Sequence, residues 1–292
     1  MSTITIPALA YYRAQTEITD PGEYAVRFDN LPSDLPGLHQ IVQNVYIHVW
    51  KIRKYHPHLL EGRTHEIESR RVSKSLALTL AHDDRPLTLE RPLEKKLIVD
   101  CRHFATLLCS MLRYHGIPAR VRCGFATYLE KSHYQDHWVT EYWDAGAGRW
   151  LLEDPDLKMH DVARNQFITA GDAWQQVRSG KTSDLQFGFS PDMRGAWALR
   201  YDVPRDLACL NGFEGLSSDE WGDLMGKPEP TLTTKDRNLF DEAAAWTLVD
   251  NSQFSAMRNF YENTPSFRVP RNIKTYNYVI DQNKPVDLDA GG

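Results

Sequence analysis

The sequence lacks long hydrophobic runs and basic clusters, and both absences exclude classes of partner. No stretch of the 292 residues approaches the ~18 consecutive apolar residues of a membrane-spanning helix, so we expect no membrane partner. The net charge is −5, and lysines and arginines form no longer run than isolated pairs. Nucleic acid is therefore not an expected partner, because phosphate binding needs a basic surface.

Cysteine is also scarce, with four residues at positions 101, 109, 123 and 209. So few cysteines in a chain of this length do not make a disulfide framework, and free thiols are expected. Residues 1–7 lack the charged start and apolar core of a signal peptide, which favours a cytoplasmic protein. If the cysteines are free thiols, one of them can act as a nucleophile.

Several ligand-binding motifs are absent. The sequence contains no CxxC pair, no HExxH, no GxGxxG and no GxxxxGK[ST]. Cys101 with His103, or His56 with His58, could suggest metal ligands, but neither pair belongs to a set of four. We therefore expect no metal and no cofactor.

The first half of the chain predicts helices followed by a hairpin. Residues 1–30 look like a strand-and-loop lead-in. Hydrophobic spacing predicts the following elements: a helix from Ser33 and Asp34 to about Tyr55, a helix over 63–82, an amphipathic helix from Asp100 to Gly116, a strand over 119–125, and two strands, from His137 and from Arg149 to Asp154, joined by a turn at 145–148.

The second half predicts mainly helices, over 170–178, 204–211, 221–225, 236–251 and 255–262, with a frayed tail from Asp281. Nothing after Asp156 forces a domain boundary. We therefore predict a single domain over 1–292, with a catalytic core at about 34–160, a helical extension at about 161–280 and a frayed tail at 281–292.

Three residues predict a nucleophile with its base and an orienting carboxylate. Cys101 opens the amphipathic helix, where free amide groups and the helix dipole favour a thiolate and lower the thiol pKa. His137 opens one strand of the hairpin and Asp154 closes the other. A thiol, an imidazole and a carboxylate are the groups that nucleophilic catalysis near neutral pH requires.

The hairpin register decides whether His137 and Asp154 can meet. A turn centred on residues 146–147 places Trp143 opposite Trp150 and Val139 opposite Asp154. His137 then lies on the same sheet face as Asp154, one diagonal away and within hydrogen-bond reach. A register shift of two residues would place the two directly opposite, whereas a shift of one would separate them.

Rival residues fit less well. Cys109, Cys123 and Cys209 are expected to pack in the core. Among the histidines, His133 lies in a polar loop, His103 is too close to Cys101 along the helix, and His160 is a further rival. Glu153 points to the other sheet face and Asp156 lies beyond Pro155. The hairpin tryptophans are more often core, although one could line a cleft. Trp138 and Trp50 are the candidate substrate-binding residues.

These segments together resemble the transglutaminase-like superfamily, which includes peptide N-glycanases, some bacterial peptidases and true transglutaminases. The matching pieces are Cys101-Arg102-His103-Phe104-Ala105, Gly116-Ile117-Pro118-Ala119-Arg120-Val121, His137-Trp138-Val139-Thr140-Glu141-Tyr142, and Trp150 with Asp154-Pro155. The resemblance covers about residues 97–156 and implies an α+β, papain-like fold with the nucleophile helix packed on an antiparallel sheet. It implies Cys101 as nucleophile, His137 as base and acid, and Asp154 as orienter.

Three further features bear on the resemblance. Segments between Phe167 and Asn211 are similar to uncharacterised bacterial members. Asp100 stands where a small residue is common in the family, and its carboxylate opposes thiolate formation. Trp50 is the candidate for the upstream side chain that often completes the oxyanion hole.

The predicted function is a cysteine hydrolase that cleaves an amide or peptide-type bond through an acyl-enzyme on Cys101. The expected partner is a peptide, protein or small amide substrate. Two alternatives remain open. The first is an acyltransferase, either transglutaminase-type or dependent on a carrier domain. The second is a binding protein on the same fold without catalysis.

Overall fold

The computed structural model describes residues 7–290. Its α-helices are α1 (Pro7–Arg13), α2 (Leu35–Val45), α3 (Val49–Tyr55), α4 (Val72–His82), α5 (Cys101–Tyr114), α6 (Ala170–Arg178), α7 (Ala196–Leu210), α8 (Thr234–Trp246) and α9 (Phe254–Glu262). Its strands are β1 (Tyr46–His48), β2 (Leu97–Val99), β3 (Ala119–Ala126), β4 (Tyr134–Asp144), β5 (Arg149–Glu153), β6 (Phe167–Thr169), β7 (Phe187–Ser190), β8 (Met193–Arg194), β9 (Asp219–Glu220), β10 (Asn272–Asn277) and β11 (Gln282–Asp287). The α+β prediction is confirmed.

A six-stranded sheet with β4 near its centre positions the candidate site. The strand order is β6-β3-β4-β7-β8, and β5 also pairs with β4. Along one edge β4 pairs antiparallel with β3, while the other edge pairs with β7 at its start and with β5 at its end. Helix α5 packs on this sheet, because Phe104 and Leu108 share a buried apolar cluster with Val121.

Helix α5 starts and stops where the sequence predicts. Its buried face supplies the apolar contacts to β3 and β4. At its end the Gly116 N–H donates to Arg113 O and the Ile117 N–H donates to Leu112 O, both at 2.9 Å. Gly116 has a φ of +74°, a conformation that glycine adopts without steric cost. The predicted termination is therefore confirmed.

The hairpin of β4 and β5 has the predicted register. Trp143 lies opposite Trp150, and Thr140 lies opposite Glu153. Extending this register by one residue places Val139 opposite Asp154, which puts Asp154 on the same sheet face as His137.

The structure corrects three predicted elements in the N-terminal third of the chain. The predicted helix from Asp34 to Tyr55 is interrupted, because Tyr46–His48 pairs in parallel with Leu97–Val99 as a short strand. The predicted helix over 63–82 begins only at Val72, after a single 3-10 turn at Glu66–Glu68. The predicted lead-in of strand and loop contains helix α1 and a 3-10 helix, while residues 1–6 lie outside the described chain.

Of the five later helices predicted, two match, two exist with different bounds, and the one over 221–225 is wrong. The predicted helix over 170–178 matches α6, and α9 begins one residue before its predicted start. Helix α7 begins eight residues before its predicted start and contains Pro204, whose missing N–H leaves one carbonyl without its helical donor. Residues 221–225 form a turn, and α8 ends at Trp246.

The predicted frayed tail is wrong for residues 281–290. Strands β10 and β11 form an antiparallel hairpin, and Asp281 in its turn has a φ of +53°. Tyr278 and Val279 in the same turn pack against the apolar cluster of Val49 and Ile52. This packing orders the segment, although its polar composition suggests fraying. Residues 291–292 lie outside the described part of the chain.

The division into a core at about 34–160 and an extension at about 161–280 stays a prediction. Strands β6, β7 and β8, which belong to the predicted extension, are part of the same sheet as β3 and β4. The extension therefore contributes strands as well as helices to the layer that carries the site.

Candidate active site

Cys101 is the first residue of α5 and lies against the edge of β4. Its thiol receives a hydrogen bond from the backbone N–H of Trp138, the chain neighbour of His137. The residue is 7% exposed, whereas Cys109, Cys123 and Cys209 are fully buried. The three other thiols therefore lie in the core, as the sequence predicts, and Cys101 is the least buried of the four cysteines.

The pairing of β4 explains why the Trp138 N–H is free to reach a thiol. Backbone groups along a strand point alternately to its two edges. The Trp143 N–H donates to Pro118 O on the β3 side, so the Trp138 N–H points to the opposite edge. On that edge β7 pairs only up to Gln135 and β5 only from Thr140, which leaves a gap at residues 136–139. Cys101 lies at this gap.

His137 and Asp154 form a buried hydrogen-bonded pair. Nε2 of His137 lies 2.9 Å from Oδ2 of Asp154. Because an ionised carboxylate only accepts, Nε2 carries the proton of this bond, and Nδ1 is left for a different partner. Within residues 7–290 Nδ1 has no hydrogen bond. The predicted contact between the histidine and the aspartate is therefore present.

Asp154 is held by three further donors. The Tyr128 hydroxyl donates to Oδ2 at 2.8 Å, and the backbone N–H groups of Asp156 and Leu157 donate to Oδ1 at 3.0 and 3.1 Å. The backbone of Asp154 also exchanges two 3.0 Å hydrogen bonds with Met159. Both carboxylate oxygens are therefore satisfied, and the carboxylate is fixed in orientation.

These contacts shift the pKa values of the pair in opposite directions. Burial alone would raise the pKa of Asp154, but the neighbouring His137, the Tyr128 hydroxyl and the Leu157 N–H lower it below its usual value. Burial alone would lower the pKa of His137, but the charge and hydrogen bond of Asp154 outweigh it, so this pKa lies above its usual value of 6.5. The pair favours an imidazolium next to a carboxylate.

The expected lowering of the Cys101 pKa is wrong for the resting site. Burial raises the pKa of this thiol well above its usual value of 9.0, and the carboxylates of Asp100, Asp136 and Asp156 raise it further. The Trp138 N–H opposes this effect without overcoming it. The thiol is therefore protonated at neutral pH before substrate binds.

Asp100 acts as the sequence suggests and opposes the thiolate. Its Oδ1 lies 2.6 Å from His103 Nδ1, and its Oδ2 accepts a 2.6 Å hydrogen bond from the Ser217 hydroxyl. Burial raises the pKa of this carboxyl, but His103 and Ser217 lower it more, so Asp100 remains ionised. His103 therefore uses Nδ1 for Asp100, while its Nε2 is buried without a hydrogen-bond partner among the described residues.

The remaining rival residues have other partners. Glu153 faces away from His137 and lies 2.7 Å from His160 Nδ1, in agreement with its predicted position on the other sheet face. His133 interacts with Ser132 and Gln135. His137 differs from these rivals because its partner is Asp154 and its chain neighbour Trp138 donates to the Cys101 thiol.

The two predicted substrate-binding tryptophans differ in exposure. Trp138 is 1% exposed and packs in the apolar cluster beneath Cys101, so its buried ring gives no support for contact with substrate. Trp50 is 52% exposed and stacks on Tyr278, with ring centroids 5.9 Å apart. Burial raises the pKa of the Tyr278 phenol, and the nearby charges of Asp100 and Cys101 raise it further.

Sequence reasoning missed Tyr128, His48 and Tyr278. Tyr128 lies in a loop whose polar composition gives no sign of contact with Asp154. His48 lies in the strand that interrupts the predicted helix, with Nε2 3.7 Å from Asp156 Oδ2. Burial lowers the pKa of His48 despite the nearby Asp156 and Asp100. Tyr278 lies just before the segment expected to fray, in a stretch for which the sequence predicts no element. No local pattern identifies these residues, because each reaches the site through long-range packing.

Residues 65–155 match the family model described as the transglutaminase-like superfamily. These residues form a segment similar to that superfamily, the transglutaminase-like core. This core contains Cys101, His137 and Asp154, and the match supports cysteine-based acyl transfer or hydrolysis as its general chemistry. Tyr278, which lies outside this core in the sequence, is also near Cys101.

A curated relative and a solved structure are also similar to parts of this chain. The relative is a protein-glutamine gamma-glutamyltransferase from Pseudomonas aeruginosa, 30% identical over 151 residues, which are 43% of this chain and 22% of the relative. The chain thus spans about a fifth of that protein's length. The structure is a candidate cysteine protease from Cytophaga hutchinsonii, 16% identical with a TM-score of 0.36, covering 57% of this chain and 49% of its own.

None of the helices in the described range 7–290 is both long enough and apolar enough to cross a membrane.

Proposed function

We propose that the protein cleaves an amide or peptide-type bond through an acyl-enzyme on Cys101 and releases the acyl group to water. The observation that carries this proposal is the buried His137–Asp154 pair beside the strand gap occupied by Cys101. The paired carboxylate orients the imidazole with Nε2 toward Asp154, so that Nδ1 can exchange a proton with the thiol.

Acylation begins with a neutral thiol, because burial and three carboxylates raise the pKa of Cys101. As Cys101 Sγ attacks the substrate carbonyl carbon, its proton passes to Nδ1 of His137, and Asp154 stabilises the imidazolium. The carbon–nitrogen bond then breaks, and His137 returns the proton to the leaving amine. The products of this half-reaction are a thioester and a free amine.

Deacylation uses the same groups in reverse order. A water molecule gives its proton to His137 while its oxygen attacks the thioester carbonyl carbon. The carbon–sulfur bond breaks, the acid product leaves, and His137 reprotonates the Cys101 sulfur. Asp154 remains ionised throughout, since its pKa is already held below the usual value.

A second candidate replaces water by an amine in the deacylation step. The name of the Pseudomonas aeruginosa relative, a protein-glutamine gamma-glutamyltransferase, favours this alternative. In that case a primary amine attacks the thioester, loses its proton to His137 and forms a new amide. The acylation half-reaction and the three residues are the same in both candidates.

We further propose that the stacked rings of Trp50 and Tyr278 contact the substrate. Trp50 is half exposed, and its partner Tyr278 lies near Cys101, so the pair extends from solvent toward the thiol. Flat aromatic surfaces of this kind bind apolar and planar groups, including peptide bonds.

The test is turnover of a peptide and small-amide library by the full chain and by two matched cysteine variants. Cys101→Ala is expected to abolish turnover, while Cys109→Ala, two turns further along α5, retains it. Product analysis with and without an added primary amine separates the candidates, because hydrolysis yields an acid and transfer yields an amide of the added amine. Full turnover by Cys101→Ala would overturn the proposal.

A further inference from the structure

A second cluster of titratable side chains lies beside the segment that carries Asp154. His39 comes from α2, Glu153 ends β5, and His160 lies in the following loop. His39 Nε2 is 3.1 Å and His160 Nδ1 is 2.7 Å from the same oxygen, Oε2 of Glu153. One donor atom from each residue lies within 4.8 Å of the other two. The three side chains converge on one point from three separate parts of the chain.

His39 is buried without satisfying its ring nitrogens. The residue is 1% exposed, and neither Nδ1 nor Nε2 makes a hydrogen bond of good geometry within residues 7–290. A buried polar group without a partner is unfavourable and therefore calls for an explanation. Nε2 nevertheless points at Glu153, which shows that the ring is directed into the cluster.

Within residues 7–290, no lysine or arginine forms an ion pair with the buried carboxylate of Glu153. The buried glutamates of the described chain are Glu66, Glu141, Glu153 and Glu214. Each of the other three forms an ion pair with an arginine, whereas Glu153 lies beside the two imidazoles and accepts a hydrogen bond from the Asp161 backbone N–H. A buried carboxylate needs a compensating positive charge, and a bound cation between the three side chains supplies one.

We propose that His39, Glu153 and His160 bind a zinc ion. Two imidazole nitrogens and one carboxylate oxygen are ligands that Zn²⁺ commonly takes, with bond lengths of about 2.0–2.2 Å. Tetrahedral ligand atoms at such bond lengths lie about 3.3 Å apart. The two donor distances to Glu153, 3.1 and 2.7 Å, are shorter than this spacing by only about 0.2 and 0.6 Å. His160 is 42% exposed, which provides a path for the ion and for a water as fourth ligand.

Zinc at this point joins α2 to the turn that orients Asp154. Glu153 precedes Asp154, and His160 follows Met159, whose backbone pairs with that of Asp154. The same two parts of the chain are already linked, because the Gln43 amide donates to the carbonyl oxygens of Pro155 and Asp156 at 2.6 and 3.0 Å. The ion therefore has a structural role, and its binding does not depend on catalysis.

The sequence gives little sign of this site. His39 and Glu153 are separated by more than a hundred residues. The two histidines that are closest in the sequence, His56 and His58, do not belong to the cluster. The ligand set appears only when α2 packs beside the end of β5.

Calorimetric titration of the metal-free full chain with Zn²⁺ tests the proposal. All variants carry Cys101→Ala, which removes the accessible thiol as a competing ligand. The parent is expected to bind one zinc ion per chain. His160→Ala and Glu153→Gln should weaken binding by about a hundredfold or more. His58→Ala, the same change at an exposed histidine outside the cluster, should leave the affinity unchanged.

Thermal unfolding with and without Zn²⁺ guards against variants that fail to fold. Zinc is expected to raise the unfolding temperature of the parent and of His58→Ala, and to leave that of His160→Ala unchanged. No saturable binding by the parent, or equal affinity in the parent and His160→Ala, would overturn the site. Because every readout is metal binding or stability, either outcome leaves the acyl-enzyme proposal untouched.

Discussion

Asp154 is the residue on which the geometry of the candidate site depends. Four donors converge on its carboxylate, and one of them is Nε2 of His137. The consequence is an imidazole of fixed orientation whose pKa is raised, since the adjacent negative charge stabilises the protonated ring. Changes at Asp154 should therefore alter both the rate and its dependence on pH.

Asp154→Asn is expected to lower kcat/KM by roughly 10²–10⁴-fold. The neutral amide removes the charge that raises the pKa of His137, and burial then lowers this pKa. His137 must be neutral to accept the thiol proton, so activity rises as pH increases through this pKa. The acid limb of the kcat/KM profile should therefore move to lower pH. An unchanged profile would contradict the assignment of His137 as the base.

Tyr128→Phe is expected to move the same limb in the opposite direction. Asp154 Oδ2 loses the 2.8 Å hydrogen bond from the Tyr128 hydroxyl, so its negative charge acts more strongly on His137. This effect raises the pKa of His137 further. At pH values below the midpoint of the acid limb, kcat/KM should fall roughly tenfold, because one hydrogen bond to a charged group is lost. The measurement is the kcat/KM profile of both variants side by side, and a shift to lower pH in Tyr128→Phe would refute the role given to its hydroxyl.

At this scale the sequence predicts contacts that follow from regular geometry. The pairing of His137 with Asp154 follows from two-residue alternation once the turn is placed at residues 145–148. The raised pKa of Cys101 was not predictable as a net result. The helix N-terminus, which is visible in the sequence, favours a thiolate. Burial and the carboxylates of Asp136 and Asp156, which are distant in the sequence, instead raise the pKa of the thiol.

At the scale of elements, β3 is joined to α7 by a buried ion pair. Arg122 donates to both carboxylate oxygens of Asp206, at 2.9 and 2.8 Å, and also to Glu141 at 3.1 Å. Asp206 in addition accepts the backbone N–H of Cys123 at 3.0 Å. The pair holds a helix from beyond the transglutaminase-like core onto a strand within it.

Asp206→Ala is expected to lower the free energy of unfolding by about 3 to 5 kcal/mol, because it leaves a buried guanidinium without its main partner. Arg149→Ala, which breaks the exposed pair with Asp161, is expected to cost less than about 1 kcal/mol. Denaturant unfolding of the two variants tests the comparison. Equal losses would mean that the link between β3 and α7 contributes little to stability.

Element boundaries were least predictable where one pattern fits two structures. Val45, Tyr46 and Val49 continue the apolar stripe of α2, so the sequence alone favours one long helix. The break at Tyr46 depends on the partner strand Leu97–Val99, fifty residues later in the chain. Similarly, the polar segment from Asp281 becomes a strand because β10 supplies backbone partners.

At the scale of the whole molecule, the C-terminal hairpin reaches back to the first elements of the core. Tyr278 in its turn stacks on Trp50 of α3 and lies near Cys101. The hairpin therefore brings the last described part of the chain next to the candidate nucleophile.

Tyr278→Ala is expected to increase the rate of alkylation of Cys101 by a small reagent roughly tenfold, because it removes a large ring that lies near the thiol. Tyr276→Ala is the matched control, since it deletes the same side chain two residues away in the same hairpin. The rates are measured by mass spectrometry of the peptide containing Cys101. Equal rates in the wild type and Tyr278→Ala would show that Tyr278 does not limit access.

The central claim is that Cys101 carries the acyl group during turnover, and trapping that intermediate tests it most directly. The protein is mixed with a peptide and small-amide library, quenched in acid and analysed by intact and peptide mass spectrometry. The account predicts an acyl adduct on Cys101 alone, present in Cys109→Ala and absent in Cys101→Ala and His137→Ala. Turnover of a library member with the acyl group on another residue, or without any covalent adduct on Cys101, would contradict it.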